Sequence, residues 1–234
     1  MTGCITVLTK LNLPYLKDIY NFYRTLNLPF RLLPLFKGAF LGQHQGFEIT
    51  ASDTLEAFRT LVDLWLEDEQ LVNVMPITNY IQRVIQNFDN DTTYFYDKSQ
   101  WESVYLVNTT GDIYSHADAY NIELSHGNIF TTAMSEIVAG KLHQKVIENA
   151  LQRIAATCRN CPFFGKQCSG FPVAEGNLEY NEVDELGAIR CIVDKEIFKH
   201  IEYRLLEAGI ISNLGNANME KLNIPHPVPS LACV

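Results

Sequence analysis

The residues of this chain with the most chemistry to offer are its six cysteines, and their spacing is uneven. Cys158, Cys161, Cys168 and Cys191 fall within 34 residues, whereas Cys4 and Cys233 lie near the two ends. In Cys158-Arg-Asn-Cys161 a Cys-x-x-Cys knuckle brings two thiolates to one ion or to one corner of a cluster, and two further cysteines complete a four-sulfur set. A closed tetrahedral zinc site and a [4Fe–4S] cluster both use four thiolates, and spacing does not separate them. The competing reading is four unrelated core cysteines. Cys4 reads as a small buried hydrophobe and Cys233 as a tail thiol. Around the knuckle, Phe163 and Phe164 are suited to shielding a bound group from water. Gly165 and Gly170 suit tight backbone passage, with their N–H groups near the sulfurs.

The compartment fits reduced thiols. The opening Met1-Thr-Gly-Cys-Ile-Thr-Val lacks the basic and long apolar regions of a signal peptide, so a cytoplasmic protein is expected, where clustered cysteines bind metal more often than they form disulfides. Among 234 residues, 47% are hydrophobic, which excludes a disordered chain and allows one large or two small domains. Eighteen Lys and Arg against 27 Asp and Glu give a net charge of −9 with no basic tract, which argues against nucleic-acid and anionic-membrane partners. No apolar run reaches the roughly 18 residues of a transmembrane helix.

The elements that would position these residues follow from periodicity. Residues 4–10 are β-branched and apolar without clean alternation, as in a strand covered on both faces. Asn12 can cap the next helix, Pro14 suits its first turn, and Leu16, Ile19, Tyr20, Tyr23 and Leu26 repeat at helical spacing. Phe30–Pro34 is a second short strand, so the first 34 residues form a βαβ crossover and a parallel pair. Such a pair leaves its edges open, which points to a fragment or to one half of a split enzyme. Ser52 or Asp53 is expected to cap a helix carrying Leu55, Phe58, Leu61, Val62 and Trp65, and another helix follows Pro76. Residues 87–100 are polar and turn-rich, the natural boundary. Residues 103–116 read as a β-hairpin around Asn108-Thr-Thr-Gly-Asp112, followed by helices near 132–138 and 142–157. A last amphipathic helix carries Ile197, Ile201, Leu205 and Leu206 and closes at Gly209, before an extended tail.

The series Gly111-Asp-Ile-Tyr114, Gly127-Asn-Ile-Phe130, Cys158-x-x-Cys161-x6-Cys168-x-Gly170 and a lone Cys191 resembles the SPASM extension of radical SAM enzymes. The closest flavour is the branch of peptide maturases that cyclises or cross-links ribosomal peptides. Ile5–Asn12 and Phe22–Pro34 look like the late strands of that family's partial (β/α)6 barrel, and the similarity covers roughly residues 3–210. It implies an α/β fold: a barrel fragment at 1–90, an α+β SPASM-like domain at 91–212 and a tail at 213–234. It also favours iron–sulfur over zinc, and an S-adenosylmethionine and peptide chemistry. Asn12 and Arg31, at the ends of barrel strands where ligands gather, become candidate cofactor contacts, with capping and surface pairing as the alternative.

Two departures limit what the resemblance implies. The Cys-x-x-x-Cys-x-x-Cys loop that leaves one iron open for S-adenosylmethionine is absent from these 234 residues. The positions that complete the family's first auxiliary cluster hold no cysteine, His116 and Pro172, whereas Cys158, Cys161, Cys168 and Cys191 match the full ligand set of the second. One auxiliary [4Fe–4S] cluster is therefore expected. His116 is a possible stray ligand or a solvated hairpin residue. The branch that oxidises sulfatase residues carries a general base where this chain has Ala117, and neighbouring Asp118 reads either as a displaced base or as a turn carboxylate.

The expected function is the C-terminal portion of a radical SAM enzyme acting on a peptide. S-adenosylmethionine would be used only if an N-terminal half were supplied. The alternatives are a non-enzymatic module, stabilised by iron–sulfur or zinc, that binds a peptide or partner subunit, and a truncated gene remnant.

Overall fold

The computed structural model describes residues 3–35, 44, 46–88, 95, 105–115, 122–170 and 192–212. Cys191, Cys233, His116, Ala117, Asp118, Pro172, most of the boundary at 87–100 and the tail at 213–234 lie outside the described residues.

Strand β1 (Cys4–Leu8) pairs in parallel with β2 (Phe30–Pro34), in the register Cys4 opposite Phe30 and Leu8 opposite Pro34. The connection is a short 3-10 turn (Leu13–Tyr15), containing Pro14, and helix α1 (Leu16–Thr25). Beyond β2 the chain forms α2 (Ala51–Glu67), and then β3 (Val74–Met75) adds to the other side of β2, also in parallel. The sequence does not announce this third strand, because two residues are too few to show a period. With strand order β1-β2-β3 each crossover moves the same way. Right-handed crossovers then deliver both helices to one face of the sheet.

That geometry corrects the expectation that β1 is covered on both faces. Side chains alternate: Leu8, Phe30, Leu32 and Val74 are buried, while Ile5 is 66% exposed, Val7 44% and Leu33 40%. The apolar residues on the second face are real strand formers, but no described helix lies over them.

The helices follow their sequence periods, with local corrections at their starts. Asn12 does not cap through its side chain. Its Oδ1 accepts the Thr9 N–H at 2.7 Å and its Nδ2 donates to the Val7 carbonyl at 2.8 Å, so it braces the exit of β1. For α2 the N-cap is Thr50, not Ser52 or Asp53; Asp53 is the returning half of a capping box. The expected face of α2 is buried, as are Ile77, Ile81, Val84 and Ile85 of α3 (Ile77–Phe88). Asp68, just past α2, ties that helix to α1: the Tyr20 hydroxyl donates to its Oδ2 at 2.9 Å, and Arg24 pairs with the same oxygen.

The hairpin is present as β4 (Leu106–Val107) and β5 (Asp112–Tyr114), joined on the far side by a further antiparallel strand, β6 (Gly127–Asn128). Helices α4 (Met134–Val138) and α5 (Lys141–Cys158) lead to the cysteines. The last described helix, α6 (Ile192–Glu207), packs on α2 and α3. Val193, Ile197, Ile201 and Leu205 are fully buried in the core that also holds Leu8, Phe58 and Ile81. At its surface, His200 meets Asp63 at 2.8 Å and Arg204 meets Glu67 at 3.0 Å. The Ile210 N–H returns to the Leu205 carbonyl around Gly209, the helix end expected from sequence. Among the described residues no helix is long and apolar enough to cross a membrane.

Candidate metal centre

Cys158 is the last residue of α5, and the chain leaves the helix through a turn in which the Cys161 N–H donates to the Cys158 carbonyl at 2.9 Å. The next turn carries the Phe164 N–H to the Cys161 carbonyl at 3.2 Å. The loop then closes on itself: the Cys168 N–H donates to the Phe163 carbonyl at 3.0 Å and the Gly165 N–H to the Cys168 carbonyl at 2.8 Å. Of the two glycines expected to present N–H groups to sulfur, only Gly170 does so, 3.4 Å from Cys168 Sγ. Gly165 uses its N–H on a carbonyl because Cys168 must fold back to stay beside the knuckle. Its φ of +73° and the Phe95 ring, which would lie 2.5 Å from an added Cβ, leave no room for a side chain there.

Two side chains fix this loop against α6. Phe163 is buried against Phe198, with ring centroids 5.6 Å apart. Gln167 is buried and donates through Nε2 to Glu202 at 2.6 Å. Burial pushes the Glu202 carboxyl above its ordinary range. Phe163 therefore shields the loop by joining the core, while Phe164 packs against Phe95 at 5.0 Å. Neither Gln167 nor Glu202 stands out in the sequence, since their partnership spans 35 residues.

No disulfide joins Cys158, Cys161 and Cys168. Burial pushes the Cys168 thiol up to about 12, and the charge of Asp194 and the neighbouring Cys158 and Cys161 add to the effect, against the opposing Gly170 N–H. Burial and nearby negative charge disfavour a thiolate at Cys168, and a bound cation would offset both. Cysteine sulfur is the donor that both a zinc site and an iron–sulfur cluster use. Among the described residues, no group of three or more His, Cys, Asp or Glu is arranged to hold a metal ion, and Cys191 lies outside them. Cys4, expected to be buried, is only partly so and packs against the edge of the core.

The other candidates lie on the sheet. Arg31 is exposed on the open face, in register between Ile5 and Met75. Asn12 has both ends of its amide engaged by backbone. Near the hairpin a buried group that sequence reasoning missed joins Ser115, His126 and His143: Ser115 Oγ lies 2.6 Å from His126 Nε2, and the two imidazoles meet edge to face at 5.0 Å.

No family profile matches the sequence, and no curated protein is similar to it at a significant level. Solved structures do match. Native anSMEcpe with bound AdoMet and Kp18Cys peptide aligns over 88% of this chain and 56% of that one, with a TM-score of 0.56 and 16% identity. The complex with AdoMet and the Cp18Cys peptide gives a TM-score of 0.56 at 15% identity, and that with AdoMet without a peptide gives 0.57 at 16%. The chain spans little more than half the length of these proteins, and what it shares with that part of them is its fold.

Proposed function

We propose that this chain acts as the C-terminal portion of a radical SAM enzyme that modifies a ribosomally made peptide in the cytoplasm, with one auxiliary [4Fe–4S] cluster on Cys158, Cys161, Cys168 and Cys191. One conjunction carries the reading: a loop with three closely spaced thiols, anchored on α6, occurs in a fold shared with part of an AdoMet- and peptide-bound protein. Four thiolates leave no iron open, so the cluster would relay an electron or hold the substrate domain together. The chain's own residues bind the group, exclude water through Phe163 and fix the loop through Gln167. Arg31, exposed on the sheet face, is available to an anionic group of S-adenosylmethionine or the peptide. Asn12, already engaged, supports the strand exit beside it. S-adenosylmethionine chemistry would require the three-cysteine loop from another segment or subunit.

The test is anaerobic preparation with iron, sulfide and zinc analysis. About four irons and four sulfides per chain are expected, falling sharply when any one of the four cysteines is replaced by Ala. Cys4→Ala and Cys233→Ala should leave the content unchanged, and loss of metal on changing Cys4 would overturn the ligand assignment. One zinc per chain without iron would favour a second reading, a metal-stabilised module that binds a peptide or partner subunit. The open apolar face of Ile5, Val7 and Leu33 favours that reading independently of any cluster.

A further inference from the structure

The parallel sheet has two edges, and its own side chains treat them differently. The Cys4 N–H goes to the Pro29 carbonyl at 3.0 Å, and the Leu8 carbonyl accepts from the Leu35 N–H at 2.9 Å. Backbone groups alternate sides along a strand, so Cys4, Thr6 and Leu8 direct theirs to β2, whereas Ile5, Val7 and Thr9 turn theirs to the outer edge. There the Val7 carbonyl accepts from Asn12 Nδ2 at 2.8 Å, and the Thr9 N–H donates to Asn12 Oδ1 at 2.7 Å. Donating to one carbonyl and accepting from the N–H two residues on is what a single residue of a parallel neighbour does. The Asn12 amide therefore holds one strand position, opposite Leu8. Among the described residues nothing holds the position before it, between the Ile5 carbonyl and the Val7 N–H. The other edge is closed: the outward N–H of β3 belongs to Val74, which is fully buried and donates to Thr78 Oγ1 at 2.9 Å. A second copy therefore cannot continue the sheet in parallel through its β3, and two β1 edges related by a two-fold axis would meet antiparallel.

We infer that the outer edge of β1 is the docking site of a partner polypeptide, which adds one parallel strand ahead of the place that Asn12 holds. The inference rests on reading this chain as the C-terminal portion of a larger enzyme; the AdoMet- and peptide-bound protein it matches, of which it spans 56%, carries chain without a counterpart here. The hydrogen bonds set the polarity and the register. The partner residue opposite Thr6 donates to the Ile5 carbonyl and accepts from the Val7 N–H. Its neighbours, opposite Ile5 and Val7, point to the open face and need apolar side chains there, which extends the surface of Ile5, Val7 and Leu33. Parallel sheets occur almost only with both faces covered, so a partner that supplies the strand also begins to cover that face. Asn12 sets the length, since the edge from the Val7 carbonyl to the Thr9 N–H is already paired.

The experiment uses the isotope-labelled full chain and, as probe, a blocked Lys-Thr-Val-Thr-Val-Lys peptide at millimolar concentration, read by amide hydrogen exchange in nuclear magnetic resonance. In the free chain the Thr9 amide should be protected, and those of Ile5 and Val7 should exchange fast. The peptide should slow Ile5 and Val7 several-fold and leave Thr9 unchanged. A nitroxide on its C-terminal end should broaden the signals of Thr9 and Lys10 but not that of Gly3. Methylating the backbone nitrogen of the second Thr, which donates to the Ile5 carbonyl, should abolish the protection; methylating that of the following Val, which faces away, should not. In Asn12→Ala the Thr9 amide should lose its protection and regain it with a peptide two residues longer. No protection of Ile5 and Val7 by the peptide, broadening at Gly3 instead, equal binding of the two methylated peptides, or a Thr9 amide indifferent to Asn12→Ala each overturns the proposal. So does protection of Ile5 and Val7 in the free chain, which would put a segment of this chain or a second copy on the edge. Iron and sulfide content separates the two failures. A chain without iron that takes the peptide in this register loses the enzyme reading and keeps the edge, and an iron-bearing chain that ignores the peptide loses the edge alone.

Discussion

At the scale of single residues, Asp68 shows how one oxygen can join two helices. Oδ2 accepts the Tyr20 hydroxyl and pairs with Arg24, and although burial alone would raise its pKa, these partners and the Gln70 N–H hold the carboxyl below its ordinary value. A carboxylate with a depressed folded pKa contributes stability above its unfolded pKa of about 4, and that contribution is lost as pH falls through the folded value. Denaturant midpoints measured from pH 7 down to pH 3 should therefore drop further for wild type than for Asp68→Asn; parallel curves would show that the carboxylate contributes nothing. Asp68→Ala should cost about 1–3 kcal/mol at neutral pH, because the buried Tyr20 hydroxyl loses its acceptor. Nothing local in the sequence reveals this contact, since Tyr20 and Asp68 are 48 residues apart. The turn at the cysteine knuckle is local by contrast: three peptide bonds separate Cys158 from Cys161, and the Cys161 N–H returns to the Cys158 carbonyl. The N-cap of α2 fell between these cases. The capping-box pattern Thr50-x-x-Asp53 was there to read, but Ser52 and Asp53 are themselves good caps and competed with it.

At the scale of elements, the parallel sheet is the part whose sequence most misled. Apolar residues at both parities of β1 suit a strand buried on two sides, and the helices between strands were correctly placed by their 3.6-residue period. What periodicity does not carry is which side those helices take. The handedness of two crossovers in one direction decides it, leaving Ile5, Val7 and Leu33 facing outward. An apolar face beside an edge strand invites association. Light scattering over a wide concentration range should show self-association of the isolated chain, reduced in the Val7→Lys and Leu33→Lys variants without loss of thermal stability. A clean monomer at every concentration would show that this face needs no cover. The hairpin was legible from its Asn108–Asp112 turn, while β6, two residues long, left only the Gly127-Asn128 motif as a trace.

At the scale of the whole molecule, α6 decides cohesion. It follows the cysteines in sequence, yet its apolar face completes the core begun by β1, α2 and α3. Residues after the cysteines therefore share one core with residues from the first third of the chain. Ile201 is fully buried there, and Ile201→Ala should cost about 2–5 kcal/mol. The loss should appear in one common unfolding transition when tryptophan fluorescence, to which Trp65 of α2 and Trp101 both contribute, is compared with far-ultraviolet circular dichroism. Two separated transitions, with only one displaced by the substitution, would mean that the core is not shared. The same arrangement has a consequence in time. A growing chain presents Cys158, Cys161 and Cys168 before it presents the helix that receives Phe163 and Gln167. At translation speeds of about 5–20 residues per second, seconds pass before residue 205 follows residue 168. During that interval the loop has its thiols but not its wall, so the order of the elements leaves the three sulfurs in water until α6 arrives to receive Phe163 and Gln167.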